Sequence, residues 1–151
     1  MTLTDILSQE QFVPKLTVTD RWAAIDALLE LLIRLGKIRT EDRETVRKAV
    51  RDRESNHGTG LGYGIALPHA SVAGVQNVVA AVAKLSPPVD FQALDRQPIR
   101  LSVLFLTPLG QIQSHLQTLS AFGRFLTNKE HREQLDAAQT ADEMFAVFRA
   151  A

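Results

Sequence analysis

"GTGLGYGIALPHA", Gly58–Ala70, is the stretch whose reading decides this chain. Glycines stand at positions 58, 60, 62 and 64, a short apolar run follows, and a proline then presents His69. Glycine reaches backbone conformations that side chains forbid, so it marks tight turns and close approaches. Pro68 fixes its own φ and pushes Leu67 towards an extended conformation. His69 is therefore expected at a defined angle, at the end of a short strand "GIAL". Two nucleotide motifs fail here. A P-loop needs G-x-x-x-x-G-K-[ST], and no lysine lies between Gly58 and Ala70. A dinucleotide fingerprint, G-x-G-x-x-G, would put its third glycine at Tyr63 or Ile65, and Pro68 opposes the helix that it requires.

Two readings stay open on these residues alone. The stretch is a plain connecting loop, or its N–H groups line a concavity that holds an anion beside His69. A neutral imidazole nitrogen is a nucleophile that titrates near neutral pH. If it attacked phosphorus, the added dianion would call for a guanidinium and a second donor. Arg53 and His115 are the two candidates. Arg53 lies seven residues beyond Val46, on the side of its helix expected to face the protein. Each also has a bland reading: Arg53 bonding helix-end carbonyls, and His115 as a satisfied, half-buried histidine. His57 and His131 read as surface residues. The four histidines show no H-E-x-x-H or comparable metal spacing.

Outward from this centre, the chain divides into helix-period and strand-like segments. Asp20–Leu35 has one apolar face of Trp22, Ile25, Leu28, Leu29, Leu32 and Leu35, with Thr19 as N-cap and Gly36 as the left-handed stop. Thr40 is expected to open a second helix, whose apolar face includes Val46, Ala49 and Val50. Val75 to about Leu85 reads as a buried strand. "SPPVDFQALDRQPI" reads as a turn-rich connection. "IRLSVLFLTP" from Ile99 is a continuous apolar run of strand length, as expected for a central strand covered on both faces. From Leu109 the period becomes helical, with a stripe of Leu109, Ile112, Leu116, Leu119, Gly123 and Leu126 and with His115 at its edge. Two short helices are expected to close the chain, the last capped by Thr140 with Glu143. The result is one α/β (α+β) domain over residues 1–151: helices first, then strands, then helices, in a mixed sheet flanked on both faces.

Composition narrows the function. The chain has 151 residues, 17 Lys+Arg against 17 Asp+Glu, and no cysteine. Zero net charge argues against a nucleic-acid partner. The absence of thiols removes disulfides and Cys-ligated zinc. The start lacks a signal-peptide pattern, and no apolar run is long enough to span a membrane, so a cytoplasmic protein is expected.

"RESNHGTGLGYGIALPHA" resembles the signature of the fructose/mannitol-type (type-2) enzyme IIA domains of the bacterial phosphotransferase system, the nitrogen-regulatory branch above all. Arg53, Glu54, Thr59, Gly60, Gly62, Gly64, Ile65, Ala66, Pro68 and His69 match that signature in register. "DFQALDRQPIRLSVLFLTP" and "SHLQTLSAFGRFL" resemble its later blocks. Gly58 stands where the family often has serine, and Tyr63 where asparagine is usual. The resemblance implies a phosphocarrier with a mixed sheet between helices. It makes His69 the phosphoryl acceptor, with His115 and Arg53 in the active site and with Thr59, Gly60 and Gly62 around the phosphate. It implies a histidine phosphocarrier, HPr or its nitrogen-branch relative, as donor, and no metal or organic cofactor. A IIB domain or a regulated protein is the expected recipient. A chain too short to hold an attached IIB or membrane domain is expected to be regulatory. The alternatives are a sugar-specific IIA component and a binding module of the same fold that transfers nothing.

Overall fold

The computed structural model describes residues 2–151. The elements run β1 (Phe12–Leu16), α1 (Arg21–Arg34), α2 (Arg43–Asn56), β2 (Gly60–Gly62), β3 (Ile65–Ala66), β4 (His69–Val72), β5 (Val79–Val89), β6 (Ile99–Pro108), α3 (Ile112–Leu126), α4 (Lys129–Ala137) and α5 (Ala141–Arg149), with short 3-10 turns at Leu3–Asp5, Gln9–Gln11 and Thr40–Asp42. The sheet order is β1-β5-β6-β3-β2, and β4 also pairs with β6. β6 is antiparallel to β5 on one side. On its other side, β3 and β4 run parallel to it in succession, with Ile65 opposite Leu101 and His69 opposite Phe105.

The alternation along β5 and β6 sorts their side chains into two cores. Ala81, Ala83, Leu104 and Leu106 pack under α1 and α2 with Ile25, Leu28, Leu32, Val46 and Val50. Ala80, Val82, Leu101, Val103 and Phe105 pack under the C-terminal helices with Phe122, Phe125, Leu126, Met144 and Phe148. Every residue of β6 except Arg100 is buried, which is why this strand reads as an unbroken apolar run.

Several details differ from expectation. The sheet begins before the first helix. β1, "FVPKL", pairs parallel with β5, Phe12 opposite Val82. It is an edge strand, where Pro14 removes no interior ladder bond, and with Pro14 and Lys15 it shows no alternation to read. The cap of α1 is Asp20 and not Thr19, its carboxylate accepting from the Ala23 N–H at 2.8 Å. α2 is preceded by the Thr40–Asp42 turn and starts at Arg43. β5 starts at Val79 and continues through Ser86-Pro87-Pro88 to Val89, its register shifting after Lys84. The turn-rich segment is thus shorter and follows Val89. It is built by Asp90 and Asp95, whose carboxylates accept from the amides of Gln92 (2.7 Å) and Gln97 (3.1 Å). Other signals read true. Gly36 ends α1 at φ +75°, and Thr140 caps α5 by accepting from the Glu143 N–H at 3.1 Å.

Candidate functional site

His69 opens β4 rather than ending the preceding strand. Leu67 and Pro68 form the break between β3 and β4, with the Phe105 N–H donating to the Pro68 carbonyl at 3.1 Å. This break turns the His69 imidazole back on its own chain, where Nδ1 lies 2.6 Å from the Leu67 carbonyl oxygen. A carbonyl oxygen only accepts, so Nδ1 carries the hydrogen, and in the neutral ring Nε2 holds the bare lone pair. Nε2 is buried and has no partner among the described residues. The ring lies flat on Phe105, centroids 4.8 Å apart and planes within 2°. Phe105 rests in turn on Phe122 at 5.6 Å. Burial is the main reason that the imidazole pKa falls from 6.5 to about 4. The Leu67 bond opposes the fall, and the nearby Arg53 and His115 add to it. His69 is neutral at physiological pH, with its orientation fixed and one nitrogen free.

His115 sits in the first turn of α3, its ring 5.2 Å from that of His69 and tilted by 49°. Ser71 and Thr107 face each other across β4 and β6. The Thr107 hydroxyl lies 2.8 Å and the Ser71 hydroxyl 3.1 Å from His115 Nδ1. Two strand ends therefore hold the second imidazole, and burial followed by the Arg53 charge lowers its pKa. The apolar stripe expected along α3 is only partly covered. The buried residues are Thr118, Phe122, Phe125 and Leu126. That row continues back through the half-buried His115, so Ile112 and Leu116 fall on the open side, 74% and 57% exposed, near Leu109 at 66%.

Arg53 is exposed, not inward-facing. The buried row on α2 is Val46, Val50 and Glu54. A row of every fourth residue winds slowly around the helix. By the last turn it has moved off the position of Arg53 onto that of Glu54. Arg53 nevertheless stands close enough to depress the pKa of both histidines, and its guanidinium has no hydrogen-bond or ion-pair partner among the described residues. Glu54, which sequence reasoning did not place in the site, is 1% exposed. Its carboxylate accepts from the Thr59 hydroxyl at 2.5 Å and from the Thr59 N–H at 3.3 Å. The signal that could have found it is its spacing of four from Val50.

The glycine stretch has a structural explanation of its own. Gly60 and Gly62 form the edge strand β2, antiparallel to β3. A Cβ on Gly60 would lie 2.8 Å from the Ala93 Cβ, and Gly62 has φ +87°. Both side-chain and main-chain donors of Thr59 point at Glu54. Tyr63 also has positive φ, 61°, and its ring is turned aside under the Arg132 guanidinium at 4.1 Å. His57 is exposed, as expected. His131 is instead half-buried, its ring stacked on Phe125 at 4.1 Å. Among the described residues no group of three or more His, Asp or Glu could hold a metal ion. No helix of the described residues is long and apolar enough to cross a membrane.

Comparison with known proteins places this geometry in a family. The profile of the phosphoenolpyruvate-dependent sugar phosphotransferase system EIIA 2 family matches residues 5–151. The chain is 29% identical over 147 residues to a nitrogen regulatory protein of Bradyrhizobium diazoefficiens, covering 97% of this chain and 94% of that protein. It is 31% identical over 147 residues to the fructose-specific EIIABC component of Bacillus subtilis; this is 97% of the chain but only 23% of that longer protein. Among solved structures, the nitrogen regulatory protein IIA-Ntr of Neisseria meningitidis superposes with a TM-score of 0.86 at 29% identity, over 95% of this chain and 97% of that one. The mannitol IIA of Escherichia coli, solved in complex with phosphorylated IIB, shares the fold at a TM-score of 0.80 and 20% identity, over 96% of this chain and 98% of that one. By profile, relatives and fold together, the chain belongs to the EIIA type-2 family of the phosphotransferase system.

Proposed function

We propose that the chain is a phosphocarrier that accepts a phosphoryl group on Nε2 of His69 from a phosphohistidine on a small carrier protein of the HPr type. The observation that carries this reading is the state of His69: Nδ1 is committed to the Leu67 carbonyl and Nε2 is left without a partner. In the step, Nε2 attacks phosphorus as the N–P bond to the donor imidazole breaks. A donor ring protonated on its other nitrogen leaves neutral. His69 keeps the Nδ1–H that it gives to Leu67 and becomes a positively charged ring bearing the phosphoryl dianion, so no proton has to move. The free Arg53 guanidinium and the His115 imidazole take up the added charge. Thr59 supports the site through Glu54, and the backbone of Gly60 and Gly62 remains a candidate contact for the phosphoryl oxygens.

The exposed Leu109, Ile112 and Leu116 beside His115 suit a protein donor better than a small molecule, because exposed apolar patches of this kind serve macromolecular contacts. Likeness to the Bradyrhizobium and Neisseria nitrogen regulatory proteins supports a regulatory use of the phosphoryl group. Likeness to the fructose component supports the alternative, onward transfer to a sugar-specific IIB domain. The test is incubation with phosphoenolpyruvate, enzyme I and a histidine phosphocarrier, followed by mapping of the label. An acid-labile, base-stable adduct at His69 is expected, and full labelling of His69→Ala refutes the assignment.

A further inference from the structure

An ion pair and then a chain of hydrogen bonds lead from the first helix layer to the imidazole of His69. Arg21, at the start of α1, places Nη1 3.6 Å from the Glu54 carboxylate. Arg21 is itself fixed, with Nη1 3.4 Å from the Phe91 carbonyl and its guanidinium 4.4 Å over the Trp22 ring. Glu54 takes both donors of Thr59, hydroxyl and amide. The Thr59 carbonyl accepts from the Leu67 N–H at 3.0 Å. The Leu67 carbonyl accepts from His69 Nδ1 at 2.6 Å. Each of these residues is buried or half-buried, where hydrogen bonds are strong and loss of a partner is costly.

We infer that Glu54 is a positioning residue for phosphoryl acceptance, acting through Thr59 and Leu67 to hold His69 in the tautomer that leaves Nε2 free. A buried carboxylate is an expensive choice for merely closing a loop. Burial is the main influence raising the Glu54 pKa, while the Thr59 bonds and Arg21 oppose it. What the carboxylate supplies, and an apolar residue could not, is two acceptor sites that fix both the side chain and the peptide of one residue. With Thr59 immobile, its carbonyl fixes the Leu67 peptide, and the opposite end of that residue sets the imidazole. The same last turn of α2 carries Arg53 on its open side, so the clamp also fixes the helix end from which the guanidinium extends.

The inference rests on the carrier reading for its chemical meaning, and two measurements separate them. Imidazole nitrogen NMR on the unphosphorylated protein reads the His69 tautomer without any donor. Transfer kinetics with a phosphorylated histidine carrier read kcat and KM. For Glu54→Gln and Thr59→Val, the single Nδ1–H form of His69 should give way to a tautomer mixture while the His115 signals stay put. In the same variants kcat should fall roughly tenfold, a loss of about 1.4 kcal/mol in transition-state stabilisation, with KM for the carrier unchanged. Thr59→Ser, which keeps the hydroxyl, should retain both wild-type properties. If both variants keep one tautomer, or if the tautomer changes while kcat does not, the inference is overturned. If the wild type accepts no phosphoryl group, the carrier reading falls, and the tautomer measurement alone decides whether Glu54 positions His69.

Discussion

Acidification should destabilise this protein through His69, and the size of the effect follows from its burial. His69 is 4% exposed, and its pKa falls from 6.5 to about 4 in the folded protein. Between these values the unfolded chain binds a proton that the folded chain refuses, so stability falls as pH falls. Above pH 6.5 both states are neutral at this residue and the contribution is flat. The linkage relation gives a loss of about 2 kcal/mol by pH 5 and about 3 kcal/mol by pH 4 from this group alone. The source is the removal of the ring from water, chiefly, with the neighbouring Arg53 and His115 charges adding to it and the Leu67 carbonyl subtracting from it.

Other groups titrate in the same window, so the measurement has to be a difference. Burial raises the Glu54 pKa, and its contribution has the opposite sign, with stability gained as pH falls. Urea unfolding of the wild type and of His69→Gln at intervals from pH 7.5 to pH 4 cancels these shared terms. The wild-type curve should fall away from the variant curve by about 2 kcal/mol at pH 5, measured as a change in midpoint at constant m. Parallel curves would show that the folded imidazole accepts protons freely, and the picture of a neutral, dry nucleophile would go with them.

Two further perturbations test the surroundings of His69. Arg53→Lys keeps the charge but loses the planar fork; transfer should slow by roughly tenfold with the melting temperature unchanged, and an equal rate would reduce Arg53 to a point charge. Ile112→Asp places a carboxylate at the first position of α3, which the helix tolerates, and on the open apolar face beside His115. KM for a protein phosphodonor should rise roughly tenfold with little change in stability, and an unchanged KM would remove this face from the donor contact.

Much of the fold was legible where a segment carries its burial in its own residues, as β6 and α1 do. β6 could be read as doubly covered, since Leu101, Val103 and Phe105 serve one core and Leu104 and Leu106 the other. α1 could be read from its broad apolar face and its glycine stop. β1 was not legible: with Pro14 and Lys15 in five residues it carries no period, and its place comes from pairing with a distant strand. The prolines of β5 misled for a related reason. Pro87 and Pro88 lie within the register shift between Lys84 and Val89, on an exposed stretch where missing donors cost nothing, so a turn signal sat inside a strand.

The site divides in the same way. Pro68 and the apolar run correctly marked His69 as held at a fixed angle, because those constraints are local. The partner that fixes the ring is also local, two residues back at Leu67, but nothing in the sequence says which ring nitrogen it takes. The break in pairing between β3 and β4 decides that. Arg53 and Glu54 show the limit most directly. Adjacent residues on a helix point about 100° apart, and in the last turn of α2 only Glu54 of this pair is turned inward. Periodicity from Val46 alone assigned the inner place to Arg53. The continuing row through Val50 assigns it to Glu54, and the difference is one of chemistry as well as position. A carboxylate turned inward can saturate both donors of Thr59, whereas a guanidinium there would face them as another donor. The arginine, turned outward and left without a partner, is the group of the pair with open valence for an anion. In the carrier proposed above, the acid of this dipeptide builds the frame and the base is left to meet the phosphoryl group, an allocation that follows from which of them Thr59 can bond.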